Sequence, residues 1–354
     1  MVDAGTTMAD VMAVHRFDPE PLEGYLRERI PGFGAGMKVS QIQGGVSNPT
    51  LMIMAEGADG PQRYVLRKKP PGALLPSAHR VDREYRVMKA LGQQGLPVPK
   101  MRLYCDDDSV VGTEFFVMDY LEGRVFRDAR LPDQSPQERS AIYDSLNAVL
   151  AQLHLIEPEG AGLADYGPAG SYFERQIGRW TKQYRAAETD HLPAMEELMA
   201  RLPSAIRGDD SVRIAHGDYR LENVMYHPTE PKIIAVLDWE LSTLGHPLAD
   251  IGYNALLWHL HDPTWGTLDG VDLAASGIPS EEEYVAAYCR RTGRDGIEGW
   301  HFYLAFAIFR LAAIAQGVYK RSQMGNVATD RVIENGTNTL AEQALEIFNH
   351  PRDI

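Results

Sequence analysis

His216-Gly217-Asp218-Tyr219-Arg220-Leu221-Glu222-Asn223 is followed, fifteen residues after its asparagine, by Asp238-Trp239-Glu240. Between them stand Val224-Met225-Tyr226, a turn at His227-Pro228, and the apolar run Lys232-Ile233-Ile234-Ala235-Val236-Leu237. Two strand-length apolar runs around a turn predict a hairpin. Its open end would return Asn223 and Asp238 to one point. A carboxylate, an amide oxygen five residues on and a second carboxylate at a strand end suit phosphoryl transfer. Asp218 would accept the proton of a substrate hydroxyl. Asn223 and Asp238 would give hard oxygen ligands to Mg²⁺, which bridges the phosphates of ATP.

A site of this kind needs a nucleotide-holding part, and the residues upstream read as one. Val39 to Ile53 reads as strand, glycine turn and strand, with Gly44-Gly45-Val46-Ser47-Asn48 at the bend. Gly45 lets backbone N–H groups approach a phosphate, and Ser47 and Asn48 add donors. Arg63 to Lys69 is the next strand. Kinases carry a phosphate-holding Lys here, and Arg67 takes that place. Its fork binds phosphate with a different geometry from an ammonium. Lys68 should face the other way by strand alternation. Val81 to Leu91 predicts a helix with Val81, Tyr85, Met88 and Leu91 on one stripe. Glu84 lies beside that stripe, placed to pair with Arg67. Met101–Tyr104 and Glu114–Tyr120 read as the last strands. An adenine would find backbone partners near Met118 and Tyr120.

An amphipathic helix, Phe17 to Ile30, precedes these strands, with Asp18 as N-cap and Pro19 at the first helical position. From Ser135 onward the chain turns helical. Ser135-Pro136-Gln137-Glu138 and Ser280-Glu281-Glu282-Glu283 are capping boxes. His154 and His216 read as structural, His216 as an orienter of its loop. Asp250 stands only twelve positions after Asp238, too close for a long activation segment. Asp250 either N-caps the apolar helix after it or braces the loop at Asp218. Trp300 to Val318 is the most apolar stretch. Arg310 at its centre is costly in a bilayer, so a buried helix is expected rather than a membrane span. Arg310 then needs a partner, either a buried carboxylate or an anionic part of the substrate, with the internal partner preferred. The expected division is 1–120 for the nucleotide part and 121–354 for the part carrying the loop and the acceptor site.

The chain has 354 residues and a net charge of −14. Residues 1–120 are nearly neutral, so the acidic excess sits in the remainder. That balance argues against nucleic acid, and the acidic second part is either a field that attracts a cationic substrate or a solvated surface that aids solubility. Two cysteines and the absence of an apolar leader at Met1–Gly5 predict a reducing, cytoplasmic setting. Oligomeric state is not legible.

His216-Gly217-Asp218…Asn223, Val236-Leu237-Asp238-Trp239-Glu240 and Gly245-His246-Pro247-Leu248-Ala249-Asp250 resemble the aminoglycoside and choline kinase group of phosphotransferases. Gly44-Gly45-Val46-Ser47-Asn48-Pro49, Tyr64-Val65-Leu66-Arg67 and Phe309 to Gly317 are similar to kinase-like domains associated with acyl-CoA dehydrogenases, and to their free-standing bacterial relatives. The resemblance covers nearly the whole chain. It implies an α+β, two-lobed protein-kinase-like fold, with an N-terminal antiparallel sheet lobe and a larger, mainly helical C-terminal lobe. It also implies ATP, Mg²⁺ and a small-molecule hydroxyl acceptor. The narrower match implies a hydroxyacyl-CoA or hydroxy acid, whose negative charge Arg175, Arg179, Arg310 or Arg321 would meet. Glu240 and Arg310 are the substrate candidates. An aminoglycoside or choline-type acceptor and a silent nucleotide-binding module are the alternatives, because fold alone does not set substrate.

Overall fold

Strand-period and helix-period segments separate along this chain, and the structure follows that separation. The computed structural model describes residues 8–42, 48–70, 79–207, 210–261, 266–324 and 334–354. In chain order the first elements are β1 (Met8–Ala9), α1 (Pro19–Arg29), β2 (Ala35–Ile42), β3 (Thr50–Gly57), β4 (Gly60–Lys68), α2 (Val81–Gln93), β5 (Met101–Cys105), α3 (Asp108–Val111) and β6 (Phe115–Asp119). Then come α4 (Pro136–Leu155), α5 (Tyr172–Ala187), α6 (Pro193–Arg201), β7 (Arg213–Ala215), β8 (Val224–Tyr226), β9 (Ile233–Val236) and β10 (Thr243–Gly245). The chain finishes with α7 (Pro247–Asn254), α8 (Leu273–Ser276), α9 (Glu281–Thr292), α10 (Trp300–Gln323) and α11 (Thr337–Asn349).

Packing divides the chain into two units. The first comprises Met1–Arg127, Glu159–Tyr166 and Arg220–Ser242. The division expected at 120 therefore moves to Arg127, and the β8–β9 hairpin belongs with the N-terminal sheet. The reason is hydrogen bonding. Arg124 and Tyr226 exchange backbone bonds at 2.8 Å each way, and Val236 N–H donates to the Pro97 carbonyl at 2.8 Å.

The sheet of this unit is antiparallel, in the order β1-β2-β3-β4-β6-β5. Alternation sends Leu51, Ile53 and Leu66 into one core with Leu22 and Leu26 of α1. Asp18 caps α1 by accepting from the Glu20 N–H. The same alternation splits two adjacent cations on β4. Arg67 faces Glu84 of α2, whereas buried Lys68 donates to the Val111 carbonyl at 3.0 Å and lies 5.0 Å from the Phe17 ring. Burial pulls the Lys68 ammonium below its ordinary value.

The second unit, Asp128–Pro158, Gly167–Tyr219 and Thr243–Ile354, is mainly helical. Both capping boxes form, Ser135 with Glu138 and Ser280 with Glu283. Helix α10 is long and apolar enough to cross a membrane by composition, yet 78% of that apolar window is buried within the protein. Its Phe302 and Phe306 pack edge-on against Phe173 of α5, each with ring centroids 5.2 Å apart. Strands β7 and β10 pair antiparallel beneath the Asp218 loop. Between Asp238 and Asp250 the chain forms a 3-10 turn (Trp239–Leu241), then β10, then the first turn of α7.

Candidate functional site

In the first unit, the hairpin does what its sequence predicts. Val224 pairs with Val236, and Leu237 N–H donates to the Asn223 carbonyl at 2.8 Å. That bond closes the hairpin and sets Asn223 and Asp238 at its two ends. Asp238 adopts a left-handed conformation (φ 59°), uncommon outside glycine and tolerated by Asp. The turn after it is fixed by Trp239 Nε1 donating to the Val236 carbonyl at 3.1 Å.

Arg67 stands among three carboxylates. Its Nε lies 3.1 Å from Glu84 Oε2, an ion contact rather than an aligned hydrogen bond. Its Nη2 lies 3.4 Å from Asp238 and 3.9 Å from Glu240. Glu84 is 1% exposed and accepts from Asn48 Nδ2 at 3.0 Å. Burial, with Asp238 and Glu240 adding to it, pushes the Glu84 carboxyl up to about 7 despite Arg67 and Asn48. One guanidinium against three acids leaves the cluster short of positive charge. All its acidic donors are oxygens, with the Asn223 amide one end of the hairpin away. Oxygens of this kind suit Mg²⁺, which Asn223 and Asp238 would hold. Arg67 fits the part of a phosphate-holding cation.

In the second unit, the Asp218 loop is held by its backbone. Buried Asp250 accepts from the His216 N–H at 2.6 Å and the Gly217 N–H at 2.9 Å. Its other neighbour is buried His154, with Nε2 at 3.4 Å, and His154 Nδ1 meets Tyr288 Oη at 2.7 Å. Burial works against ionising Asp250, but the His154 contact and the loop amide hold its carboxyl below the usual range. His216 Nδ1 accepts from the Asp218 N–H at 3.2 Å, which makes it an orienter of the loop. Gly217 has φ 83°, gives its N–H to Asp250 and accepts from Arg310 Nη2 on its carbonyl, so a side chain there would be strained.

Asp250 therefore braces the loop, and the N-cap of α7 is His246 instead. Arg310 finds an internal partner, but that partner is the Gly217 carbonyl and not a carboxylate. Glu240, a substrate candidate, lies beside Arg67 and Asp238. Asn48, expected to donate to phosphate, is 2% exposed and spends its amide on Glu84 and His79. Met118 is buried, and the amides of Asp119 and Tyr120 go to the Lys100 and Arg63 carbonyls at 2.9 and 3.4 Å. Gly45 and Ser47 lie outside the described residues. Two residues at the loop were missed, Tyr253 and Asn254. Tyr253 Oη donates to Asp218 Oδ1 at 2.6 Å, and Asn254 Nδ2 donates to the Tyr219 carbonyl at 3.1 Å. The signal was present: they stand three and four residues after Asp250, on the same face of a helix.

Known proteins are similar to this chain in sequence and in fold. The profile of the phosphotransferase enzyme family matches residues 38–303. The human acyl-CoA dehydrogenase family member 11 is 45% identical over 351 residues, which is 96% of this chain and 44% of that protein. This chain thus spans less than half the length of that relative. A solved structure from Ralstonia eutropha, named as a candidate aminoglycoside phosphotransferase, is 44% identical with a TM-score of 0.87, covering 95% of this chain and 100% of that one. The choline kinase of Cryptosporidium parvum, at 14% identity and a TM-score of 0.66 over 94% of this chain and 96% of its own, shares the kinase-like fold. The profile covers most of the chain and the human relative nearly all of it, so the Asp218 loop and the Asp238 hairpin are the parts of a member of the phosphotransferase enzyme family.

Proposed function

We propose that this chain is a small-molecule kinase that moves the γ-phosphate of ATP, with Mg²⁺, to a hydroxyl of a hydroxyacyl-CoA or a related hydroxy acid. The observation that carries the proposal is the Arg67 cluster, where three carboxylates share one guanidinium and a buried glutamate is pushed up to about 7. Acids arranged this way favour a divalent cation. Bound MgATP supplies the phosphoryl group and offsets its charge. Of the chain's own groups, Arg67 would hold phosphate oxygens, Asn223 and Asp238 would hold the metal, and Asp218 would take the proton of the acceptor hydroxyl. The hydroxyacyl-CoA acceptor is supported by the likeness to proteins named as acyl-CoA dehydrogenase family members. We place the reaction in the cytoplasm, away from nucleic acid and membrane, a reading supported by two buried free cysteines and the acidic net charge.

The test is transfer from γ-labelled ATP with Mg²⁺ to hydroxyacyl-CoAs, free hydroxy acids, aminoglycosides and choline, with Asp218→Ala as control. The expected result is label on a hydroxyacyl-CoA or hydroxy acid, lowered about 10²–10⁴-fold in the mutant while ATP still binds. Label on an aminoglycoside or choline would overturn the acceptor. ATP binding without label on any of them would favour a silent nucleotide-binding module, the reading to which Arg67 in place of lysine points.

A further inference from the structure

A general base is only as good as its placement, because a misplacement of about 1 Å costs on the order of a hundredfold in rate. The backbone of the Asp218 loop is held by Asp250, but its carboxylate is held by something else. Tyr253 Oη, on α7, donates to Asp218 Oδ1 at 2.6 Å. The ring of Tyr253 has a cation against it, with Arg310 Cζ 5.1 Å from the ring centroid. Trp180 lies 5.6 Å from the same guanidinium.

Arg310 is 9% exposed, and its Nε is buried with no hydrogen-bond partner. Its hydrogen bond goes to the Gly217 carbonyl, one residue ahead of Asp218. Among the described residues no carboxylate stands within ion-pair distance of it. A buried arginine without an acid is expensive unless it has a task. Here the guanidinium lies against two aromatic rings and donates to a neutral carbonyl, with no direct ion pair among the described residues. A cation at a phenol ring draws electron density from it and makes the hydroxyl a stronger donor.

We infer that Tyr253 and Arg310 are positioning residues for Asp218. Arg310 fixes the backbone ahead of Asp218 and the ring of Tyr253, and Tyr253 fixes the carboxylate. The inference rests on the phosphotransfer reading of Asp218. It changes the part expected of Arg310 from a substrate contact to a holder of the base. It also gives a reason for an arginine in the middle of the most apolar helix.

The test is a double-mutant cycle of Tyr253→Phe and Arg310→Lys in the full chain, read as release of labelled phosphate from MgATP to water, an acceptor present in every assay. The rise in Tm on adding MgATP is measured alongside, to show that each variant folds and binds. Tyr253→Phe keeps the ring and removes only the donor. Arg310→Lys keeps the charge and loses the planar fork. Each single variant should turn over about tenfold more slowly, with the MgATP-induced rise in Tm intact. The double variant should be no slower than the slower single, because both act through one carboxylate. Unchanged turnover in Tyr253→Phe, or losses that simply multiply in the double variant, would overturn the inference. A wild-type chain that binds MgATP but turns over no faster than Asp218→Ala would remove the phosphotransfer reading and the positioning role together.

Discussion

The Arg67 cluster and the Asp218 loop solve opposite electrostatic problems. At Arg67 the acids outnumber the bases three to one, and a buried carboxyl is forced toward neutrality at about 7. At Asp218 the bracing acid, Asp250, is equally buried, yet two backbone amides and a histidine keep it ionised. Under the proposed function, the cation of MgATP would balance the first arrangement. The second is complete and serves to hold a shape. Equal burial thus leaves one carboxyl near neutrality and the other ionised, according to whether acids or N–H donors surround it.

The largest expected effect comes from breaking the complete side. Asp250→Ala strands two loop amides and His154, so unfolding stability should fall by about 3–5 kcal/mol and turnover should be lost. Thermal denaturation and the labelled-phosphate assay read both. The pH dependence follows in sign. The Asp250 carboxyl is held low in the folded protein, so its contribution is present above the ordinary carboxylate range and is lost as pH falls through its folded value. Asp250→Asn should flatten the acid side of the stability curve, and an unchanged acid side would remove Asp250 from this account.

The incomplete side should respond in the other direction. Glu84 is raised in the folded protein to about 7, so its contribution is full below its unfolded value and is lost as pH climbs through about 7. Glu84→Gln should remove that slope, worth about 3 kcal/mol across the interval. Added Mg²⁺ should flatten it in the wild type by replacing the proton with a metal charge. A slope indifferent to Mg²⁺ would mean that the cluster is not a cation site.

The smallest effect sharpens the contrast within one strand. Lys68 is buried, and among the described residues its ammonium donates to a carbonyl and lies near a ring. Lys68→Met should change stability by no more than about 1 kcal/mol, in either direction. The same substitution at Arg67 should abolish MgATP binding, measured by the Tm rise. Equal outcomes at the two positions would deny the division of labour between the two faces of β4.

Much of this was readable from residues because it depends on short-range rules. The hairpin, the capping boxes, the α1 cap and the opposite facing of Arg67 and Lys68 follow from local periodicity and turn chemistry. The Arg67–Glu84 contact was legible because kinases pair the strand cation with a glutamate of the following helix, and Glu84 stands beside the apolar stripe of α2. What escaped was the choice among partners. Asn48 was expected to donate to phosphate, and the structure spends it on Glu84. Arg310 had a carbonyl available where a carboxylate was expected. Tyr253 and Asn254 carry no motif, and their part emerges only once Asp250 is known to face the loop.

The short stretch from Asp238 to Asp250 bears on control. It is spent on a turn, a strand and the start of a helix, each with a structural duty. Signalling kinases use the corresponding length as a switch, ordered or released by phosphorylation. This stretch has no slack to serve as one. A segment committed to turn, strand and helix along its length offers no loop there whose order a modification could change.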